Sequence, residues 1–134
     1  MLAIDPGRKR VGLAVSDELR LTARPLSPLR RSNWKDLLQS LSDVVRRFDV
    51  KTVVIGLPLL LEGAEGDAAE EARRFGRNLQ LSLNLPVYFQ DERLTSREAE
   101  ETLRAEGYSE SAIAGRIDGE AARLILLDFI SHSS

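Results

Sequence analysis

Short apolar runs near the start of the chain predict three strands. Residues 2–4 form the first strand, "VGLAVSD" at residues 11–17 forms the second, and residues 21–31 form an extended third segment. Pro25 and Pro28 interrupt the third segment, which favours an edge position because proline has no backbone N–H to donate to a neighbouring strand. Since the three segments lie close together in the sequence, we expect them to pair as an antiparallel meander.

The next part of the chain combines a helix with a strand of different character. Ser32 or Asn33 can cap the helix, whose apolar residues recur at helical spacing. These residues are Trp34, Leu37, Leu38, Leu41, Val45 and Phe48. "TVVIGLP" at residues 52–58 is rich in β-branched residues and lacks polar alternation, which is typical of a central strand covered on both faces.

Helices and strands continue to alternate towards the end of the chain. A glycine-rich loop at residues 62–66 precedes a second helix, residues 86–90 form the fifth strand, and a third helix ends at Gly107. A last helix begins at Ser109 and ends near Ile130. The second helix is predicted from the spacing of its apolar residues and the third from a capping box. The apolar residues are Ala72, Phe75, Leu79 and Leu83, and the capping box is Thr95 with Glu98.

Three strands are thus followed by a helix, a strand, a helix, a strand and two helices. Helical crossovers favour parallel pairing, so the first, fourth and fifth strands are predicted to lie parallel beside an antiparallel pair. The predicted fold class is α/β, with a mixed five-stranded sheet and helices on both faces. A chain of 134 residues with 43% apolar content is expected to form one domain, residues 1–134.

Composition narrows the chemistry. The chain has no cysteine, and its single histidine, His132, lies in a polar tail, so a metal ion must be held by oxygen ligands. The net charge of −2 argues against a protein that coats nucleic acid by bulk positive charge and leaves a local basic patch as the alternative.

No apolar stretch approaches the ~20 residues that span a bilayer. The chain opens without a basic leader, so we expect a cytoplasmic protein with no membrane partner.

Acidic residues stand where predicted strands end. Asp5 follows the first strand, and Asp91 and Glu92 follow the fifth. Read singly, each is a polar turn residue. Because ligands sit at the carboxyl ends of parallel strands, these acids are expected to converge on one edge of the sheet. Adjacent strand residues point to opposite faces, so only one of Asp91 and Glu92 is expected to point inward.

Asp118 heads an apolar stripe on the last helix. It shares a helical face with Ala121, Ala122, Ile125 and Phe129, and the two alanines allow the helix to approach the sheet closely. A carboxylate in this position must lie at the rim, pair with an arginine, or bind a cation.

Arg116 is the arginine that we expect to neutralise Asp118 if the carboxylate is paired. Taken together with Asp5 and Glu92, however, Asp118 is predicted to be a metal ligand.

Carboxylates that converge without histidine or cysteine suit Mg²⁺ or Mn²⁺, and two such ions support in-line attack at a phosphorus centre. Cations beside the acids are expected to hold a phosphate backbone and to reduce repulsion among the carboxylates. These cations are Arg8, Lys9, Arg10 and Arg93. Considered alone, the first three form an ordinary solvated turn.

Four motifs, in order, resemble those of the YqgF/RuvX family, nucleases described as Holliday junction resolvases and as processing nucleases for the precursor of small-subunit ribosomal RNA. The motifs are "DPGRKRVGLAVSD", "VIGLPLLLEGAEGDAAEEARRF", "DERLTS" and "DGEAARLILLDFI". They cover nearly the whole chain, and four ordered motifs at matching spacing are specific where one alone is weak.

The resemblance implies an RNase H-like fold, divalent-metal-dependent cleavage of a phosphodiester, and site residues at Asp5, Glu92 and Asp118. The wider superfamily commonly has an acid after the fourth strand, where this chain has residues 56–58, "GLP". Glu92 then substitutes for that acid, and Asp91 is a possible second ligand.

The resulting hypothesis is a metal-dependent endonuclease acting in the maturation of pre-16S rRNA, with ribosome association as a further expectation. One alternative is a Holliday junction resolvase acting on branched DNA, and another is a non-catalytic RNA- or ribosome-binding factor. A branched substrate favours a symmetric homodimer, whereas trimming a single RNA strand needs only a monomer. A likeness of the first turn to actin-like ATPases is set aside, because those proteins place the nucleotide between two domains.

Overall fold

The computed structural model describes residues 1–7, 9–60, 63–91 and 95–132, without the side chains of residues 95–97 and 132. Its elements follow the predicted order. They are β1 (Leu2–Pro6), β2 (Arg10–Ser16), β3 (Ala23–Arg30), α1 (Trp34–Arg47), β4 (Val53–Leu57), α2 (Asp67–Leu83), β5 (Val87–Asp91), α3 (Thr95–Ala105) and α4 (Glu110–His132).

The strands form one sheet in the order β3-β2-β1-β4-β5. β2 is antiparallel to both β1 and β3, whereas β4 is parallel to both β1 and β5. The predicted mixed sheet is therefore confirmed, with β3 at one edge and β5 at the other. None of the helices in the described part of the chain has the length and apolar character needed to cross a membrane.

Two strand boundaries differ from the sequence prediction by two residues, and the others by at most one. β1 continues through Asp5 to Pro6, because both residues pair with β2. β3 begins at Ala23, two residues later than predicted. The reason is the Asp17 side chain, whose Oδ1 accepts hydrogen bonds from the backbone N–H groups of Leu21 (2.7 Å) and Thr22 (3.1 Å). These donors close the β2–β3 hairpin, as aspartate commonly does in turns.

The two faces of the sheet are built from side chains of different size. Large side chains such as Leu2, Ile4 and Leu13 pack in the core with residues of α1 and α2. Small side chains, Ala3 and Ala14, face α4 on the other side. Because little side-chain volume separates α4 from the strands, this helix lies close to the sheet backbone.

The N-terminus of α1 is capped as expected. The Asn33 side chain accepts a hydrogen bond from the backbone N–H of Asp36 at 2.8 Å, so Asn33 is the cap between the two predicted candidates, Ser32 and Asn33. The predicted capping box at Thr95 depends on side chains outside those that the structure describes.

Two helical glycines provide a matched stability test. A methyl group at Gly76 on α2 would lie 2.6 Å from Cζ of Phe89 and 3.1 Å from Cδ1 of Ile55, so Gly76→Ala is expected to destabilise the protein by about 1–3 kcal/mol through overpacking. A methyl group at Gly115 on α4 would have no neighbour within 4 Å. Gly115→Ala is expected to stabilise by about 0.5–1 kcal/mol. Urea denaturation measures both changes, and the same sign for both would contradict this packing.

Candidate functional site

Asp5 lies on the face of the sheet that α4 covers. It is the cross-strand partner of Gly12, and cross-strand partners project to the same face. Ile4, the preceding residue, belongs to the core under α1 and α2, so strand alternation turns Asp5 to the opposite side. Asp5 is partly exposed there.

Asp118 reaches the same place through a close helix–strand contact. A methyl group on Gly12 would lie 2.7 Å from the carbonyl carbon and 3.2 Å from Cα of Asp118. Only glycine leaves room for a backbone approach this close. The α4 backbone at Asp118 therefore rests directly on the strand position beside Asp5.

The predicted helical stripe of α4 is confirmed by its burial. Ala121, Ala122 and Ile125 are each exposed by at most 1%, whereas the Asp118 side chain at the head of the stripe retains 29% exposure. Two acids that are 113 residues apart in the sequence, Asp5 and Asp118, thus share one face of the sheet on either side of Gly12.

Among the described residues, the cation paired with Asp118 is Arg10 and not the predicted Arg116. Nε of Arg10 lies 3.4 Å from Oδ2 of Asp118, and the Arg10 side chain is 53% exposed. Arg116 instead places its guanidinium carbon 4.5 Å from the centre of the Tyr108 ring. An exposed ion pair such as Arg10–Asp118 is worth only about 0–1 kcal/mol, so Asp118 can exchange this partner at little cost.

Arg31 holds the turn that joins β1 to β2, and sequence reasoning missed it. Its Nη1 donates a hydrogen bond to the carbonyl of Gly7 at 2.8 Å, and its backbone N–H donates to the carbonyl of Lys9 at 2.8 Å. The guanidinium also lies 5.6 Å from the Phe75 ring centre. No local pattern reveals such a role, because the contacts join residues more than twenty positions apart.

The structure describes two of the three cations predicted to bind phosphate at this turn. Lys9 and Arg10 are exposed, as a phosphate contact requires. Arg8, also predicted to bind phosphate, lies outside the described residues.

Asp91 is placed on the opposite face from Asp5 and Asp118. It pairs with Leu57 across β4 and β5, and Leu57 packs against Ala69 and Ala72 of α2. The neighbouring Gln90 faces α4, where its Nε2 donates a hydrogen bond to Asp128 at 3.1 Å. Strand alternation therefore turns Asp91 towards α2.

Two further predicted site residues, Glu92 and Arg93, follow β5 directly. Both lie outside the described residues. The predicted convergence of three acids can thus be followed for Asp5 and Asp118 only.

Glu120 is a buried acid close to Asp118 in the sequence, but it already has a partner. It is 7% exposed, and each of its carboxylate oxygens accepts a hydrogen bond from Nε of Arg123 at 3.0 Å. This hydrogen bond raises the pKa of the Arg123 guanidinium above its usual value. Glu120 therefore stabilises α4 and is not a candidate ligand.

The donor set at Asp5 and Asp118 fits a hard divalent cation. Within the ranges that the structure describes, no group of three or more histidine or acidic side chains is close enough to hold a metal ion. Mg²⁺, however, is commonly bound by one or two carboxylates and completes its shell with water and substrate phosphate. Asp5 and Asp118 are both partly exposed, and Arg10 lies beside Asp118. The two carboxylates, here called the rim, therefore meet that requirement.

The Gly12–Asp118 contact predicts the effect of a single methyl group. Gly12→Ala would force α4 away from β2, and we expect a loss of about 1–3 kcal/mol in the free energy of unfolding. Faster amide hydrogen exchange around Asp118 should accompany this loss. Gly115→Ala is the control, because it adds a methyl group on the same helix in open space. A Gly12→Ala protein as stable as the wild type would contradict the close contact.

The chain is similar to known proteins over nearly its whole length. The family model described as "RuvX: Holliday junction resolvase" matches residues 1–132. A protein of Anaeromyxobacter sp. (strain Fw109-5) is 44% identical over 125 residues, which cover 93% of this chain and 91% of the relative. A protein of Syntrophus aciditrophicus (strain SB) is 42% identical over 134 residues, covering 100% and 89%. Both carry the name "putative pre-16S rRNA nuclease".

Solved structures share the fold at low sequence identity. RuvC of T. thermophilus in complex with a Holliday junction substrate superposes with a TM-score of 0.57 at 18% identity, covering 98% of this chain and 97% of RuvC. The fowlpox virus resolvase in complex with Holliday junction DNA gives a TM-score of 0.54 at 12% identity, with the same coverage. At such identities the likeness concerns the fold, which is that of RuvC-like, RNase H-fold resolvases.

Proposed function

Because the chain belongs to the RuvX Holliday junction resolvase family, we propose that it is a divalent-metal-dependent endonuclease that cleaves phosphodiester bonds of structured nucleic acid. The observation that carries the proposal is the packing of Asp118 on Gly12 beside Asp5. That packing brings two carboxylates from distant segments to one exposed rim, next to a cation. Two carboxylates beside a cation support metal-dependent hydrolysis of a polyanion.

Each residue then has a defined role. Asp5 and Asp118 hold Mg²⁺ or Mn²⁺, and Glu92 acts as a further ligand or orients the attacking water. When bound, such ions activate water and stabilise the leaving oxygen of an in-line displacement. Lys9 and Arg10, together with Arg8 and Arg93, bind the phosphate backbone and fix its register beside the acids.

The substrate that we propose first is the precursor of 16S rRNA. Relatives at 40–44% identity that cover nearly the whole chain are named "putative pre-16S rRNA nuclease". The solved structures with a bound Holliday junction are below 20% identity. Cleavage of a four-way DNA junction is the second candidate, favoured by the description of the family model. A cytoplasmic location and association with ribosome precursors follow from the first candidate.

The two candidate substrates imply different oligomeric states. Trimming one RNA strand needs a single site and hence a monomer, whereas symmetric cleavage of a junction needs two sites related by a two-fold axis. Light scattering of the protein with and without each substrate distinguishes these cases.

Removing either carboxylate should strongly slow cleavage while leaving the fold intact. Asp5→Asn and Asp118→Asn are each expected to lower the cleavage rate with Mn²⁺ by at least about 100-fold, because a loss of about 3 kcal/mol of transition-state stabilisation corresponds to that factor. The rate is measured on a pre-16S rRNA fragment and on a four-way DNA junction. Asp43→Asn, which removes a carboxylate paired with Arg46 on α1, is the matched control.

Equal activity of Asp5→Asn and the wild type would contradict the catalytic assignment. Absence of cleavage on both substrates, combined with no Mn²⁺ binding by calorimetry, would favour the non-catalytic RNA- or ribosome-binding factor.

The two acids after β5 are distinguished by a second comparison. Because alternation turns Asp91 towards α2, Asp91→Asn is expected to change the cleavage rate by less than about threefold, which corresponds to less than about 0.7 kcal/mol. Glu92→Gln is expected to lower it by at least about 100-fold, as for the other proposed ligands. A larger loss for Asp91→Asn than for Glu92→Gln would reverse the assignment.

A further inference from the structure

Two arginines stand opposite each other beside the acids. Arg10 on β2 and Arg30 on β3 are cross-strand partners, so their Cβ atoms are expected to lie only about 4.5–5.5 Å apart. Like charges directly opposite each other destabilise a sheet. A pair of this kind at an exposed edge therefore suggests a role in binding an anion.

Both side chains project from the face that α4 covers. Arg10 is two residues from Gly12 on β2, and its guanidinium reaches Asp118 of α4. On β3, Leu29 packs into the core under α1 and α2, so alternation turns the adjacent Arg30 to the side of α4. Arg30 is exposed, and within the described residues no carboxylate forms an ion pair with it.

The backbone that carries these arginines is held from both sides. Arg31, next to Arg30, donates hydrogen bonds to the carbonyls of Lys9 and Gly7. Gly7 in turn donates its N–H to the carbonyl of Arg10 at 3.1 Å. These hydrogen bonds fix the backbone that carries Arg10 and Arg30, so the binding of one anion between them has to order only the two side chains.

We propose that Arg10 and Arg30 form a phosphate clamp that holds one backbone phosphate of the nucleic-acid substrate next to Asp5 and Asp118. Arg10 exchanges its exposed contact with Asp118 for the phosphate and leaves that carboxylate available to the metal ion. Arg30 supplies the second guanidinium. This inference rests on the proposed nuclease function and adds Arg30 to the residues that bind substrate.

The test is the salt dependence of binding without divalent metal. The affinities of wild type, Arg30→Gln and Arg30→Lys for a four-way DNA junction and a pre-16S rRNA fragment are measured between 50 and 200 mM salt. Loss of one phosphate contact is expected to reduce the slope of log K against log salt by about 0.7–0.9. A change of this size in the slope corresponds to binding that is about five- to eightfold weaker than that of the wild type at 0.1 M salt. Arg30→Lys keeps the charge and should retain the wild-type slope.

Arg24→Gln is the matched control. Arg24 lies on the same strand but pairs with Val15, a residue of the opposite face, and its guanidinium lies 5.5 Å from the Phe48 ring centre. Arg24→Gln removes the same charge at a distance from the proposed clamp. Its slope of log K against log salt should therefore match that of the wild type. Because Arg30→Gln relieves a like-charge pair, its Tm is expected to stay constant or rise. A residue that only stabilises the fold would give a lower Tm.

Several outcomes would overturn the clamp. A wild-type slope for Arg30→Gln, or equal losses for Arg30→Gln and Arg24→Gln, would show that Arg30 makes no specific phosphate contact. These outcomes are independent of cleavage. If Arg30→Gln shows the expected slope and the wild type cleaves neither substrate, the clamp is supported and the proposed nuclease activity fails.

Discussion

The contact between Gly12 on β2 and the backbone of Asp118 on α4 determines where the site lies. A side chain at Gly12 would occupy the position of the Asp118 carbonyl group, and α4 would then sit further from the sheet. Because Gly12 pairs with Asp5, the same contact sets the spacing between the two carboxylates. The distance between the two proposed metal ligands is therefore set by the packing of a helix on a strand.

The unequal faces of the sheet make this contact possible. Under α1 and α2 the strands present large side chains such as Ile4 and Leu13, which keep those helices at ordinary packing distance. Under α4 the strands present Ala3 and Ala14, and α4 contributes Ala122 to the same interface. Small residues on both partners let α4, the longest of the described helices, pack close to the sheet, so that Asp118 lies near the partly exposed Asp5.

The sequence predicted the parts of this arrangement that depend on periodicity. Alternation, helical spacing and turn residues led to the order of the elements along the chain, and connection rules led to the parallel and antiparallel pairings. The apolar stripe below Asp118 placed that acid against the sheet. Contacts that depend on register could not be predicted in this way. The facing of Arg10 and Arg30 follows a register shift between Val11 and Leu13, and no local signal marks that shift.

The same limit applies to the partner of Asp118. Arg116, the sequence choice, is only two residues away, but a helix turns residues i and i+2 to different sides. Arg10 approaches from another strand. The face of Asp91 likewise required the β4–β5 register, since the sequence alone established only that Asp91 and Glu92 point in opposite directions.

A chain of net charge −2 can bind a polyanion when its cations are arranged locally. The turn between β1 and β2 brings Lys9 and Arg10 to the rim, and β3 adds Arg30 through the cross-strand pair. Arg10 lies 3.4 Å from Asp118 in an exposed ion pair of small net stability. A backbone phosphate offers Arg10 a bidentate partner of the same charge as the carboxylate, and a divalent ion offers Asp118 a partner of higher charge than the guanidinium. The two exchanges favour each other, because each releases the group that the other ligand needs, and metal and nucleic acid are therefore expected to bind this rim cooperatively.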